Sequence, residues 1–331
     1  MEYMGLDLHG ITELVDVRGR KVFSRYPQSV NEAIGHTTAY QLNCTEIRLV
    51  PLSDCFITLE SLGHRHSSKV MVYYGDYAYP EEYLFTKEVT IAIRPMTFHE
   101  SSLLKSLEHP LDFSSNVVRI LISSENVFIK AISGNYRLPD RFEVPLLKMM
   151  AYGTSITQGY YPTAVDLTYP NIVAREIGAD LVNFGLAGNA KCEKEVTDFL
   201  KTSGKYDIIL LELSVNMLMM GFSADEFRER AEYMISELMK YQPKAKILCM
   251  GVLPFYGDHG LIGPRDVMIS DPQTYRNILK EVVESKMSIN LVYLDPMKAC
   301  SIGDMSTDLI HPGNFGMIKI AHYITEHLKQ K

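Results

Sequence analysis

Ser155 lies in the segment Tyr152-Gly153-Thr154-Ser155-Ile156-Thr157-Gln158-Gly159, where an apolar run ends between two glycines that let the chain turn tightly. A hydroxyl carried there faces a ligand, and a neighbouring base can make it a nucleophile. Such a base stands far downstream, in Ser306-Thr307-Asp308-Leu309-Ile310-His311-Pro312-Gly313. Asp308 precedes His311 by three residues, so its carboxylate can accept from Nδ1 and leave Nε2 free to take a proton from a serine. Two further segments carry donors. Asn183-Phe184-Gly185-Leu186-Ala187-Gly188-Asn189 contains Gly188, whose N–H can approach a substrate oxygen closely, and Leu213-Ser214-Val215-Asn216 ends in a side-chain amide. With the N–H of Ser155 these make three donors for an oxyanion, and the loss of one such donor costs about 3 kcal/mol of barrier. Together these residues could carry out acyl transfer through a covalent intermediate.

Each segment has a plainer explanation when read singly. Ser155 could cap a helix, and Thr157 stands where the second glycine of a G-x-S-x-G elbow belongs. Gly188 could open a helix, Asn216 could be a satisfied cap, and Asp308 could cap a helix beside a surface histidine. Their joint order favours chemistry: Ser, Gly, Asn, then Asp and His follow successive apolar runs of one repeating pattern.

Those runs are the elements that must position the site. LLKMMAYG, DLVNFG, DIILLEL, KILCMGV and LVYLD read as five strands buried on both faces, as a parallel sheet requires. Amphipathic helices are expected between and after them, at Tyr169–Ile177, Glu193–Lys201, Ala224–Tyr241, Pro272–Met287 and Pro312–Lys329. This alternation predicts a three-layer α/β/α domain with a flavodoxin-like parallel sheet over residues 146–331, whose ligands bind beyond the C-terminal strand ends. Residues 1–145 read differently, as short β-rich runs at Ile47–Val50, Cys55–Leu59, Val70–Tyr74, Val89–Ile93, Val117–Ile122 and Val127–Ile132. They predict an all-β, jelly-roll-like sandwich, with Tyr136–Pro145 as the linker.

Composition narrows the function classes. The net charge of −7 is spread along the chain without a basic block, so nucleic acid is not an expected partner. The acidic N-terminus, broken by Gly and Asp, does not fit a secretory signal, and no apolar run approaches the length of a membrane span. The five scattered cysteines lack a CxxC pair, which fits reduced thiols in a cytoplasm. His64 and His66 alternate but find no third ligand at suitable spacing. They read as part of a solvated loop, and neither a metal nor a cofactor is expected.

Glu212, inside DIILLEL, is expected to be half-buried near the site in a supporting role. Met217 to Met220 could fill the core or floor an acyl pocket, and the loop from Pro254 to Asp271, rich in Gly, could border a substrate cleft.

The four segments resemble the blocks of the SGNH hydrolases, a GDSL-like group named for its Ser, Gly, Asn and His. The resemblance covers about residues 146–331. It implies Ser155 as nucleophile, Asp308 and His311 as its acid-base partners, and Ser155, Gly188 and Asn216 as the oxyanion hole. Thr154 replaces the Asp of the GDS sequence, and Ser214-Val215 replaces a glycine-rich approach to Asn216. A β-rich module ahead of the hydrolase also resembles the layout of some carbohydrate acetyl esterases. The substrate this implies is a short acyl ester, an acetyl group on a sugar or oligosaccharide. Alternatives are a lysophospholipase or thioesterase for longer acyl chains and an inactive carbohydrate-binding protein, while homo-oligomerisation is left open.

Overall fold

In the strand Cys55–Ser61, Cys55, Ile57, Leu59 and Ser61 turn inward while Phe56, Thr58 and Glu60 face outward, the period-two pattern of a sheet with one wet face. The computed structural model describes residues 1–34, 40–63, 68–105 and 113–329. Their contacts divide the chain into two units. The first is Met1–Leu147 with Gly178–Val182, and the second is Lys148–Ile177 with Asn183–Lys331. The sequence pattern predicts a first domain that ends at residue 145, with 178–182 in the second.

The first unit is an antiparallel β-sandwich. Its larger sheet runs Glu2–Tyr3, Leu6–His9, Thr45–Pro51, Val118–Ser123, Ser68–Tyr74, Tyr77–Phe85, with Tyr136–Arg137 pairing onto Thr45–Pro51. Val127–Ser133, Cys55–Ser61 and Glu88–Ile93 form the smaller one. Leu8, Ile47, Ile57, Leu59, Val70, Ile91 and Ile120 are among the side chains that fill the core.

Each of the six expected strands lies within or one residue from an observed one. Leu6–His9, the hairpin Glu13–Val17 and Arg20–Ser24, and Tyr77–Phe85 are additional. Tyr77–Phe85 escapes a pattern search because it ends the sheet and carries Pro80-Glu81-Glu82, residues suited to an edge strand. Part of the expected linker, Tyr136–Arg137, is paired as strand.

The second unit is the α/β layer structure. The five-stranded sheet has the order Ala179–Asn183, Leu147–Tyr152, Ile208–Glu212, Lys246–Met250, Leu291–Leu294, the edge strand being counted with the first unit up to Val182. The pairs from Leu147–Tyr152 through Leu291–Leu294 are parallel. The second strand in sequence pairs on one side of the first and the third on the other, so the chain changes direction there. In open α/β sheets a crevice forms at such a point.

The helices Tyr169–Ile177, Lys194–Leu200, Ala224–Tyr241, Pro272–Ser285 and Asn314–Lys329 match the expected set within about two residues. Pro312 does not open the final helix, which starts at Asn314. The helix Ala224–Tyr241 begins with a capping box, Ser223 with Glu226, and Pro272 occupies the first turn of its helix behind an Asp271 cap. Among the described residues no helix is long and apolar enough to cross a membrane.

Candidate active site

The first strand ends at Tyr152, and after Gly153 the chain turns into the short helix Ser155–Gln158, capped by Thr154. Ser155 therefore occupies a helix N1 position, where its N–H has no intrahelical acceptor and can serve a ligand. Gly153 is required there: a Cβ would stand 2.1 Å from Thr157 Oγ1 and 2.7 Å from Glu212 Oε2.

The loop after the last strand brings the other partners. Ser155 Oγ lies 2.7 Å from His311 Nε2, and His311 Nδ1 lies 2.6 Å from Asp308 Oδ2. With the Nδ1 proton directed at Asp308, Nε2 is the acceptor for the serine hydroxyl. The second carboxylate oxygen, Oδ1, accepts from Ser306 Oγ at 2.8 Å and from the N–H groups of Ile310 and His311 at 3.0 Å each. Burial alone would raise the Asp308 carboxyl. The donors from His311, Ser306 and Ile310 outweigh it and hold the group below the usual carboxylate range. Leu309 adopts φ +57°, a left-handed conformation that closes this tight loop.

Gly188 follows the second strand with φ +67° and no neighbour within 4 Å of a Cβ. Backbone conformation, not space, is what calls for glycine there. The loop is tied to the nucleophile turn by Leu186 N–H to the Gly153 carbonyl (2.8 Å) and Ala187 N–H to Gln158 Oε1 (2.7 Å). Asn183 Nδ2 adds a bond to the Thr157 carbonyl at 2.7 Å. Asn216 lies in the helix Val215–Met219 and donates one Nδ2 proton to the Asn189 carbonyl. That bond fixes the amide plane and leaves the second Nδ2 proton for another acceptor. Ser155 is 8% exposed and Asn216 9%, so both are buried with little surface of either reaching solvent.

The sequence-derived residues Ser155, Asp308 and His311 thus form one hydrogen-bond chain. Gly188, in the loop after one neighbouring strand, and Asn216, in the short helix after the other, make no direct bond to it.

Glu212 departs from expectation: it is fully buried, not half-buried. Its Oε2 accepts from Thr154 N–H (2.8 Å), Thr154 Oγ1 (2.7 Å) and Thr157 Oγ1 (3.1 Å). Burial pushes its carboxyl up to about 7, against the lowering effect of those donors.

Two aromatic rings that no sequence pattern marks lie next to His311. Tyr161 stacks on the imidazole with centroids 5.3 Å apart and an interplanar angle of 17°, and Tyr160 lies at 5.2 Å. Tyr161 holds φ +80°, a strained conformation for a tyrosine. Only the position of this pair directly after the Ser155 turn hinted at it.

Met217 and Leu218 are buried in the core, while Met220 is exposed. The loop Pro254–Asp271 is bonded to both sides of the site. Tyr256 N–H donates to the Leu309 carbonyl at 3.0 Å and Val267 N–H to the Met219 carbonyl at 2.8 Å. His64 and His66 fall outside the described residues.

The model of the GDSL-like Lipase/Acylhydrolase family matches residues 147–329. No curated protein sequence matches the chain. Among solved structures, a salicylyl-acyltransferase from a tetracycline biosynthetic pathway is similar at TM-score 0.76 and 14% identity, with 98% of this chain and 94% of that one covered. A putative GDSL-like lipase from Bacteroides ovatus gives 0.67 and 15%, covering 98% and 95%. A family two carbohydrate esterase from Cellvibrio japonicus gives 0.64 and 13%, also covering 98% and 95%. At these identities the likeness shows a shared fold.

Proposed function

Because the chain belongs to the GDSL-like lipase/acylhydrolase family, we propose that it is a serine esterase whose acyl-enzyme forms on Ser155 and whose substrate is a short acyl ester of a carbohydrate. The observation that carries this reading is the unbroken chain from Ser155 Oγ through the His311 ring to Asp308, at 2.7 and 2.6 Å.

In the first half-reaction His311 Nε2 takes the Ser155 proton as Oγ adds to the ester carbonyl. The resulting oxyanion is held by the N–H groups of Ser155 and Gly188 and the free Nδ2 proton of Asn216. Asp308 holds the imidazole in the tautomer that can accept, and it stabilises the imidazolium. His311 then returns the proton to the departing alcohol. Water, deprotonated by the same imidazole, adds to the acyl carbonyl and releases the acid and Ser155. No cofactor enters this sequence.

The sugar alcohol is supported by Tyr160 and Tyr161, 47% and 46% exposed beside His311, whose flat faces suit a pyranose ring. The family two carbohydrate esterase of the same fold is consistent with that choice. One observation favours a second reading, a longer acyl chain: Leu261, Ile262, Val267 and Ile269 are exposed on the loop bonded to both sides of the site. The five cysteines are buried and none is in a disulfide among the described residues, which suits the reducing cytoplasm we propose as its location.

Hydrolysis of p-nitrophenyl acetate, butyrate and longer esters, and of acetylated xylose and cellobiose, separates these readings. We expect turnover of the acetates and its loss in Ser155→Ala. Turnover confined to long chains would reject the short acyl ester, and no turnover of any ester would return the chain to a binding role.

A further inference from the structure

We propose that Glu212 is a positioning residue for the nucleophile: its buried carboxylate holds the turn Gly153–Thr157 so that the Ser155 hydroxyl and N–H stay aimed at the ester. This inference rests on the esterase reading above and adds to it a residue that touches neither substrate nor Ser155.

The geometry is one-sided. Three donors converge on Oε2, and all three come from the residues flanking Ser155: the N–H and hydroxyl of Thr154 and the hydroxyl of Thr157. Oε1 is equally buried and has no hydrogen-bond partner among the described protein atoms. The bonded oxygen is thus committed wholly to the turn that carries Ser155.

The anchor is braced from outside. Tyr169, on the next helix, shares a 2.7 Å bond with Thr157 Oγ1, and Gly153 leaves room for Oε2 that no Cβ would allow. The resemblance to SGNH blocks puts an Asp where this chain has Thr154. Here Thr154 instead presents a hydroxyl and an N–H to a carboxylate supplied by the third strand.

Ionisation gives the arrangement a signature. Burial, opposed by the Thr154 and Thr157 bonds, brings the Glu212 carboxyl to about 7. The ionisable groups facing it are Tyr169, from the helix Tyr169–Ile177, and Cys192, from the loop before the helix Lys194–Leu200. Burial is the main cause raising both; the Glu212 charge is the next cause at Tyr169, while at Cys192 the Glu193 charge contributes more than Glu212. A proton on Oε2 would displace one of the three donors, and a proton on Oε1 would leave Oε2 a neutral and weaker acceptor for them. Protonation therefore weakens the local hold on the turn near pH 7, even though burial favours the neutral carboxyl in the fold as a whole.

The test measures Ser155 labelling by a fluorophosphonate, and turnover of p-nitrophenyl acetate, across pH for wild type, Glu212→Gln and Glu212→Ala. Gln keeps a carbonyl oxygen for the three donors without charge. For Glu212→Gln we expect about a tenfold lower labelling rate and kcat with KM unchanged, since a charge-assisted bond is roughly twice as strong as a neutral one. The acid limb of kcat/KM should steepen toward two protons in wild type and fall to one in Glu212→Gln.

A Glu212→Gln enzyme with wild-type kcat and an unchanged acid limb overturns the proposal while leaving the esterase reading intact. So does a folded Glu212→Ala with wild-type labelling. If wild-type Ser155 fails to label at all, the esterase reading falls, and Glu212 loses its role with it.

Discussion

At the residue scale the site was largely legible because each of its parts follows an apolar run. Ser155, Gly188, Asn216, Asp308 and His311 were all singled out by type and place. Glu212 was noticed but expected to be half-buried, because sequence says where an acidic residue falls and not what converges on it. Here three threonine donors make full burial tolerable. Tyr160 and Tyr161 were missed for a different reason. Their contact with His311 joins residues about 150 positions apart, and no local pattern encodes it.

Two outcomes belong to this scale. Asp308→Asn should lower kcat by about 10²-fold or more, since the amide no longer fixes the His311 tautomer. Steady-state kinetics on p-nitrophenyl acetate checks it, and a change confined to KM would speak against the role given to Asp308. Asn216→Ala should lower kcat by roughly 10²–10³-fold, the usual effect of one lost oxyanion donor. Because the Asn216 amide also binds the Asn189 carbonyl, a thermal melt of the same variant separates a lost donor from a loosened loop.

At the scale of elements, strands with strict alternation or continuous apolar character were found, and those without it were not. Cys55–Ser61 alternates cleanly and Ile208–Glu212 is apolar up to its last residue, so both were read correctly. Tyr77–Phe85 ends a sheet and carries a proline and two glutamates, features that keep an edge from pairing further and also hide it from a pattern search. The helices Ser155–Gln158 and Val215–Met219 were missed because one turn is too short to show a 3.6-residue period. Both carry site residues.

The turn before Ser155 gives the element-scale outcome. Gly153→Ala places a Cβ within 2.1 Å of Thr157 Oγ1 and 2.7 Å of Glu212 Oε2. Activity should fall at least about 10²-fold, as misplacement of a reacting group by about 1 Å does. Retained activity in that variant would mean the turn is not held as described.

At the scale of the whole molecule, stability depends on two buried charge arrangements. In the first unit Arg48 bonds Glu46 and Asp180 at 2.7 Å each and stacks over Phe113 at 4.8 Å. Arg48→Ala takes the guanidinium from the buried Asp180 carboxylate, while Arg119 still holds Glu46 at 2.6 and 3.0 Å, so denaturant unfolding should show a loss of about 3 kcal/mol. In the second unit Glu212 acts through pH. Its carboxyl titrates at about 7 in the fold against an ordinary value of 4.5. The fold is therefore favoured below the ordinary value, where the group is neutral folded or unfolded, and loses that advantage as pH rises through 7. The loss is about 3 kcal/mol for a shift of this size. Wild type should accordingly lose thermal stability relative to Glu212→Gln between pH 5 and 8. A constant difference across that range would show that Glu212 is not a buried titrating group.

The central claim is that Ser155 carries the acyl group. Wild-type protein incubated with p-nitrophenyl acetate, quenched in acid during turnover and mapped by peptide mass spectrometry, tests it directly. An added acetyl group on the peptide containing Ser155, absent in Ser155→Ala, is the expected result. Steady turnover with the acetyl group on another residue, or undiminished turnover in Ser155→Ala, would contradict it.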